Sequence, residues 1–133
     1  MDIIEILKQD YQQFPENQTY SLYSETVYFK DPMTEFRGCD RYRQMIGFMS
    51  TWFKQIKMDL HDIRRIEDDT IETRWTLNWT TPLLWQPRIA IPGRSELQLN
   101  PEGKIISHID YWDISRLDVL KQHFKPQVSG KNR

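Results

Sequence analysis

At 133 residues the chain is sized for one core, because two halves would each bury too little apolar surface to stand without disulfides or metal. Its 18 Lys and Arg against 19 Asp and Glu leave a formal charge of −1, too weak a field to imply a nucleic-acid partner. The single Cys39 excludes an internal disulfide and a cysteine-based zinc cluster, and no segment approaches the roughly 20 apolar residues of a membrane span. The first residues lack a basic stretch followed by an apolar one, so a cytoplasmic location, cytosolic or stromal in type, is expected. Aromatic residues make up 13%, five of them tryptophan, and that excess needs a place in the fold.

In chain order, Ile4, Leu7, Tyr11 and Phe14 recur at three and four residues and predict a helix over residues 2–14, ended by Pro15. The run Val27-Tyr28-Phe29-Lys30, stopped by Asp31-Pro32, reads as the first strand. A second amphipathic helix opens at Gly38-Cys39-Asp40, with Asp40 as its cap, and carries Tyr42, Met45, Ile46, Met49, Trp52 and Phe53. Over residues 56–66 apolar and polar residues alternate, but the phase slips near Asp62, which predicts a strand with a bulge. Beyond a polar turn, Ile71, Thr73, Trp75, Leu77 and Trp79 share one face of the next strand and complete a long hairpin.

Residues 95–100 and 104–112 form a second hairpin about the turn Asn100-Pro101-Glu102-Gly103. A last helix begins near Ser115 and carries Leu117, Leu120 and Phe124. Residues 127–133, with two basic residues and one apolar, read as a flexible tail after a single domain of residues 1–126. Between the hairpins, residues 81–93 hold three prolines among apolar residues and should cover something. The segment is either a lid that brings Trp85 onto a ligand or a contact with a partner.

Two helices cover only part of a twisted sheet, so a hollow is expected between them, lined by Trp52, Trp75, Trp79 and Trp112. The alternative for each ring is plain core packing. One of Tyr28 and Phe29 faces inward, and a Tyr28 phenol there could orient a carbonyl or a water. Asp31 ends the first strand near the expected mouth, where its commoner role is to accept amide hydrogen bonds in the Asp-Pro turn. His108, Asp110 and Trp112 alternate and so share a face, on which a histidine and a carboxylate can work as acid and base. Arg74, Arg88 and Arg94 are available to pair with Asp110, and Arg94 also counts among the ligand-binding candidates. His61, His108 and His123 lack metal-ligand spacing, and there is no nucleophile elbow, phosphate loop or dinucleotide fingerprint, so neither metal nor cofactor is expected.

The segments Tyr28-Phe29-Lys30-Asp31-Pro32, Glu35-Phe36-Arg37-Gly38 with Tyr42, and residues 103–113 ending in Asp110-Tyr111-Trp112-Asp113 resemble a known family. This is the cyanobacterial and plant-plastid domain of unknown function within the nuclear-transport-factor-2-like (SnoaL-like) superfamily, and the likeness spans about residues 7–120. The resemblance implies an α+β cone, a cystatin-like roll in which a strongly bent mixed sheet packs against N-terminal helices around an internal pocket, commonly as a homodimer through the sheet. The fold serves isomerases, dehydratases, cyclases, epoxide hydrolases and binding proteins, so it does not decide a function. Catalytic cyclases of the superfamily place an Asp or a His-Asp set on this late strand, which is the analogy Asp110 and His108 invite. Three functions are open: binding a small apolar or aromatic ligand, an isomerase, dehydratase or hydrolase using Asp110 and His108, and protein docking as a homodimer.

Overall fold

A computed structural model describes residues 2–125. In chain order it contains α1 (Ile3–Gln13), a single 3-10 turn (Tyr20–Leu22), β1 (Tyr23–Lys30), β2 (Glu35–Arg37), α2 (Cys39–Trp52), β3 (Lys54–Glu67), β4 (Thr70–Thr80), β5 (Arg88–Leu99), β6 (Ile105–Trp112) and α3 (Arg116–Gln122). The strands form one sheet in the order β2-β1-β6-β5-β4-β3. β1 runs parallel to β6 and every other neighbour is antiparallel, which makes the sheet mixed, as expected. The tail expected over residues 127–133 lies outside the described residues.

Local chemistry explains most of the boundaries. The Asp2 carboxylate accepts the Ile4 amide (3.2 Å) and starts α1. Its apolar stripe buries Leu7 against Val27, Ile71, Leu97 and Ile105 from the sheet. α3 starts where expected, with Ser115 Oγ accepting the Asp118 amide (3.0 Å). α2 departs from expectation: its cap is Gly38, not Asp40. Gly38 has φ of 117°, a conformation that disfavours a side chain, and its carbonyl accepts the Tyr42 amide (3.1 Å). Asp40 instead sits in the first turn, where its charge meets the positive end of the helix.

The register of β3 on β4 shifts between Leu60 and Asp62, the bulge that the phase slip implies, and shifts again near each end of the strand. Such bulges raise local twist and help bend the sheet. In the turn between β5 and β6, Gly103 has φ of 83° and Asn100 Oδ1 accepts the amides of Glu102 (3.0 Å) and Lys104 (2.9 Å).

β5 is the main correction. It begins at Arg88 rather than near Ser95, so half of the proline-rich segment is strand, paired with β4 from Thr80↔Arg88 onward. Pro92 is tolerated because the β6 ladder ends at the pair Gly93↔Trp112. The Pro92 carbonyl reaches past that point to accept the Asp113 amide (2.7 Å), and the missing N–H on the same side has no strand to serve. Gly93 beside it permits a close crossing, since a Cβ there would lie 2.5 Å from the Tyr111 carbonyl oxygen and 2.8 Å from Trp75 Cη2. No helix among the described residues is long and apolar enough to cross a membrane.

Candidate functional site

A cavity of about 570 Å³ lies between the concave face of the sheet and the three helices. Its walls are apolar: Trp75 and Trp79 from β4, Trp112 from β6, Met45 and Met49 from α2, and Val119 from α3. Strand alternation and register build its polar floor. Ser95 stands opposite Asp110, Leu97 opposite His108, and Thr73 opposite Ser95. That register sets Ser95, Asp110 and His108 on one face.

These groups form a chain of hydrogen bonds. Trp75 Nε1 donates to Ser95 Oγ (2.8 Å), which donates to Asp110 Oδ1 (2.5 Å). His108 Nε2 lies 2.7 Å from the same oxygen, and since a carboxylate only accepts, Nε2 carries the proton. Asp110 Oδ2 has no hydrogen-bond partner among the described residues. Behind His108, Tyr23 Oη stands 3.2 Å from Nδ1 and 3.3 Å from Tyr42 Oη, so its one proton serves one contact while the other uses it as acceptor. The imidazole is held by rings, with the Phe29 centroid at 5.1 Å and that of Tyr42 at 5.5 Å.

On the α1 side, Tyr11 Oη bonds Thr73 Oγ1 (2.7 Å). Burial pushes the phenols of Tyr11, Tyr23 and Tyr42 well above the ordinary tyrosine range, so all three stay protonated hydrogen-bonding groups.

Nearer the mouth, Asp31 Oδ1 accepts the Met33 amide (2.8 Å). Burial raises the Asp31 carboxyl above its ordinary value, the Met33 amide opposes this, and the negative charge of Asp110 adds to the rise. Arg116 donates to the Pro32 carbonyl (3.4 Å), and His123 Nε2 meets Thr81 Oγ1 (3.0 Å).

Of the residues singled out from sequence, Asp31, Trp75, Trp79, His108, Asp110 and Trp112 line this cavity. The others do not. Tyr28 points away, its hydroxyl on Glu35 (2.6 Å) and Arg37 over its ring, while Phe29 takes the inward position. Trp52 is 57% exposed and leans on Phe48, because the cavity takes the Met45, Ile46 and Met49 side of α2. Trp85 is exposed and donates to the His123 carbonyl (2.6 Å), pinning residues 81–87 to α3 rather than reaching a ligand. Arg94 alternates with Ser95 and so faces outward, over the Tyr111 ring and against Glu96 (3.0 Å).

Nor do the arginines pair with Asp110. Arg74 and Arg94 go to Glu72, and Arg88 donates to the Gln55 carbonyl (2.7 Å). Tyr11, Tyr23, Tyr42 and Ser95 escaped sequence reasoning. Their signal was a polar tip on an otherwise apolar stripe. Cys39 opens α2, yet burial raises its thiol, so it is not an activated nucleophile.

A larger, more open hollow of about 830 Å³ runs along β3 beside α1, but none of these converging groups lines it. Among the described residues, no group of three or more His, Cys, Asp or Glu side chains could hold a metal ion.

The profile of the uncharacterized conserved protein family DUF2358 matches residues 1–108. The chain belongs to the DUF2358 family. No curated protein matches the sequence. Among solved structures, an NTF2-like protein of unknown function from Exiguobacterium sp. 255-15 is 25% identical, with a TM-score of 0.61 over 72% of this chain and 80% of that one. A Catenulispora acidiphila protein with a ketosteroid isomerase-like fold, solved in complex with trimethylamine, is 17% identical, with a TM-score of 0.71 over 92% and 94%. An LEH-like epoxide hydrolase from M. tuberculosis is 15% identical, with a TM-score of 0.69 over 92% and 90%. At these identities the last two share the fold and establish no more than that. This DUF2358 chain therefore has the NTF2-like fold anticipated from its motifs, and structures of that fold include isomerase-like proteins, cyclases and epoxide hydrolases.

Proposed function

We propose that the chain binds one small, mostly apolar molecule in the cavity, with a polar group of that molecule directed at Asp110. One observation carries this reading: an apolar cavity of about 570 Å³ ends on a carboxylate whose Oδ1 is fully engaged and whose Oδ2 has no partner among the described residues. Apolar walls supply affinity in proportion to the area they cover, and a single convergent polar group supplies orientation. That a protein of this fold was solved with trimethylamine is in keeping with a small guest.

Native mass spectrometry of gently purified protein tests the proposal. A reproducible adduct released on denaturation supports it, provided that Trp79→Ala, which opens the wall, loses the adduct while the protein stays folded. An adduct kept by that variant would refute it.

A second reading is favoured by the contact of His108 with Asp110: general acid and base chemistry at a carbon next to a carbonyl, or addition of water, with Asp110 Oδ2 taking the proton. Asp110→Asn preserves both bonds to Oδ1 and removes only the base. Turnover lost with binding retained supports this second reading, and equal turnover ends it. Homodimerisation through the outer face of the sheet is a separate proposal, decided by sedimentation velocity.

A further inference from the structure

We infer that the guest of this cavity carries a positive charge: a tertiary or quaternary ammonium on a small apolar body, held between Asp110 and the aromatic walls. The inference rests on the reading of the cavity as a binding site and names the class of its ligand.

It comes from an imbalance of charge. Asp10, Asp31 and Asp110 all line the cavity. Asp10 spends both oxygens on Thr19, accepting its amide (3.0 Å) and its hydroxyl (2.8 Å). Arg116 is the one permanently charged cation among the described lining residues, and its guanidinium engages the Pro32 carbonyl at the mouth. The guanidinium groups best suited to neutralise Asp110 are held elsewhere: Arg74 and Arg94 at Glu72, Arg88 at Gln55. The donors that do reach Asp110, a hydroxyl and an imidazole N–H, converge on one oxygen.

The walls add to the same field. Phe29, Phe53, Trp75, Trp79 and Trp112 are among the lining residues, and a desolvated cation gains wherever it meets the electronegative face of such a ring. A cation entering the cavity gives up its hydration and recovers it from a carboxylate and rings in a low-dielectric setting. An anionic guest would face the carboxylates of Asp31 and Asp110, and a guest with neither charge nor donor would leave Asp110 Oδ2 without a partner. An apolar body on the ammonium fills the remaining volume, which a bare inorganic cation would not.

The test is a tryptophan-fluorescence titration of the full chain with two isosteres, phenyltrimethylammonium and tert-butylbenzene, which share shape and differ in charge. The expected result is that the ammonium binds at least about tenfold more tightly, and that Asp110→Asn reduces the preference to within about threefold. Asp31→Asn serves as a second variant and lowers the preference by a smaller factor. Equal or tighter binding of tert-butylbenzene by the unmodified protein overturns the charge assignment while leaving the cavity reading intact. Binding of neither compound overturns both.

Discussion

Replacing Gly93 by alanine should disturb stability and site together. The Gly93 backbone is outside the left-handed region, so alanine costs nothing in conformation, and the penalty is steric. The added Cβ would lie 2.5 Å from the Tyr111 carbonyl oxygen, which is backbone within β6, and 2.8 Å from the Trp75 ring. The carbonyl can yield only by parting β5 from β6, so the ring must also move. Trp75 is 3% exposed and its Nε1 holds Ser95, which in turn holds Asp110. Overpacking of this kind costs about 1–3 kcal/mol, and weakening the buried indole bond adds about 1 kcal/mol. A loss of roughly 2–4 kcal/mol in a chain of this length lowers Tm by about 7–14 °C. Circular dichroism melts read the Tm, and the near-ultraviolet spectrum, dominated by tryptophan, reads the ring. A Tm within about 1 °C of the parent, with an unchanged near-ultraviolet spectrum, would show that the crossing is not as close as described.

Asp31→Asn keeps an oxygen for the Met33 amide and removes a partly buried charge. The folded carboxyl is raised above its value in the unfolded chain, 3.8, so below that pH both states hold the proton and no penalty arises. As pH climbs through the raised value, the unfolded chain ionises first and the native state loses stability. The variant should therefore melt higher than the parent at pH 7 and equal it near pH 3; a lower Tm at neutral pH would refute the argument.

Asp10→Ala strands the Thr19 amide beside α1 and should cost roughly 1–3 kcal/mol in urea unfolding, with an unchanged midpoint counting against the role given to that carboxylate. Raised phenols predict that Tyr11, Tyr23 and Tyr42 stay silent at 295 nm at pH values just above 10.0, the ordinary value of a phenol. Because their folded values lie above the unfolded one, stability is kept below pH 10 and falls as pH rises further; one smooth titration of every tyrosine in the native protein would contradict their burial.

Much of the architecture was legible because it follows from periodicity. Spacings of three and four placed α1 and α2, alternation placed β3 and β4, the turn at Asn100-Pro101-Glu102-Gly103 placed β6, and one slipped phase near Asp62 located a bulge. β2 went unseen because three residues are too few to display a period. The early start of β5 was hidden by Pro92, which reads as a strand breaker until the end of the neighbouring ladder is known. Within the site, alternation alone put His108, Asp110 and Trp112 on one face, and Trp75 with Trp79 on another strand's equivalent face.

What the linear pattern determines is which residues of one element travel together; it does not determine what they meet. Trp52 sits on an apolar stripe, but the stripe is wider than the cavity, and the packing of α2 against β1 chose the Met45 side. The convergence of Ser95, His108, Tyr23 and Tyr42 depends on pairings between strands and helices far apart in the chain, above all the register of β5 on β6 and the parallel run of β1 beside β6. That Arg74, Arg88 and Arg94 do not pair with Asp110 is likewise a tertiary fact. The chain offers Arg74, Arg88 and Arg94 within reach along the sequence, and only the pleat, by turning Arg94 outward from its neighbour Ser95, removes that charge from the cavity.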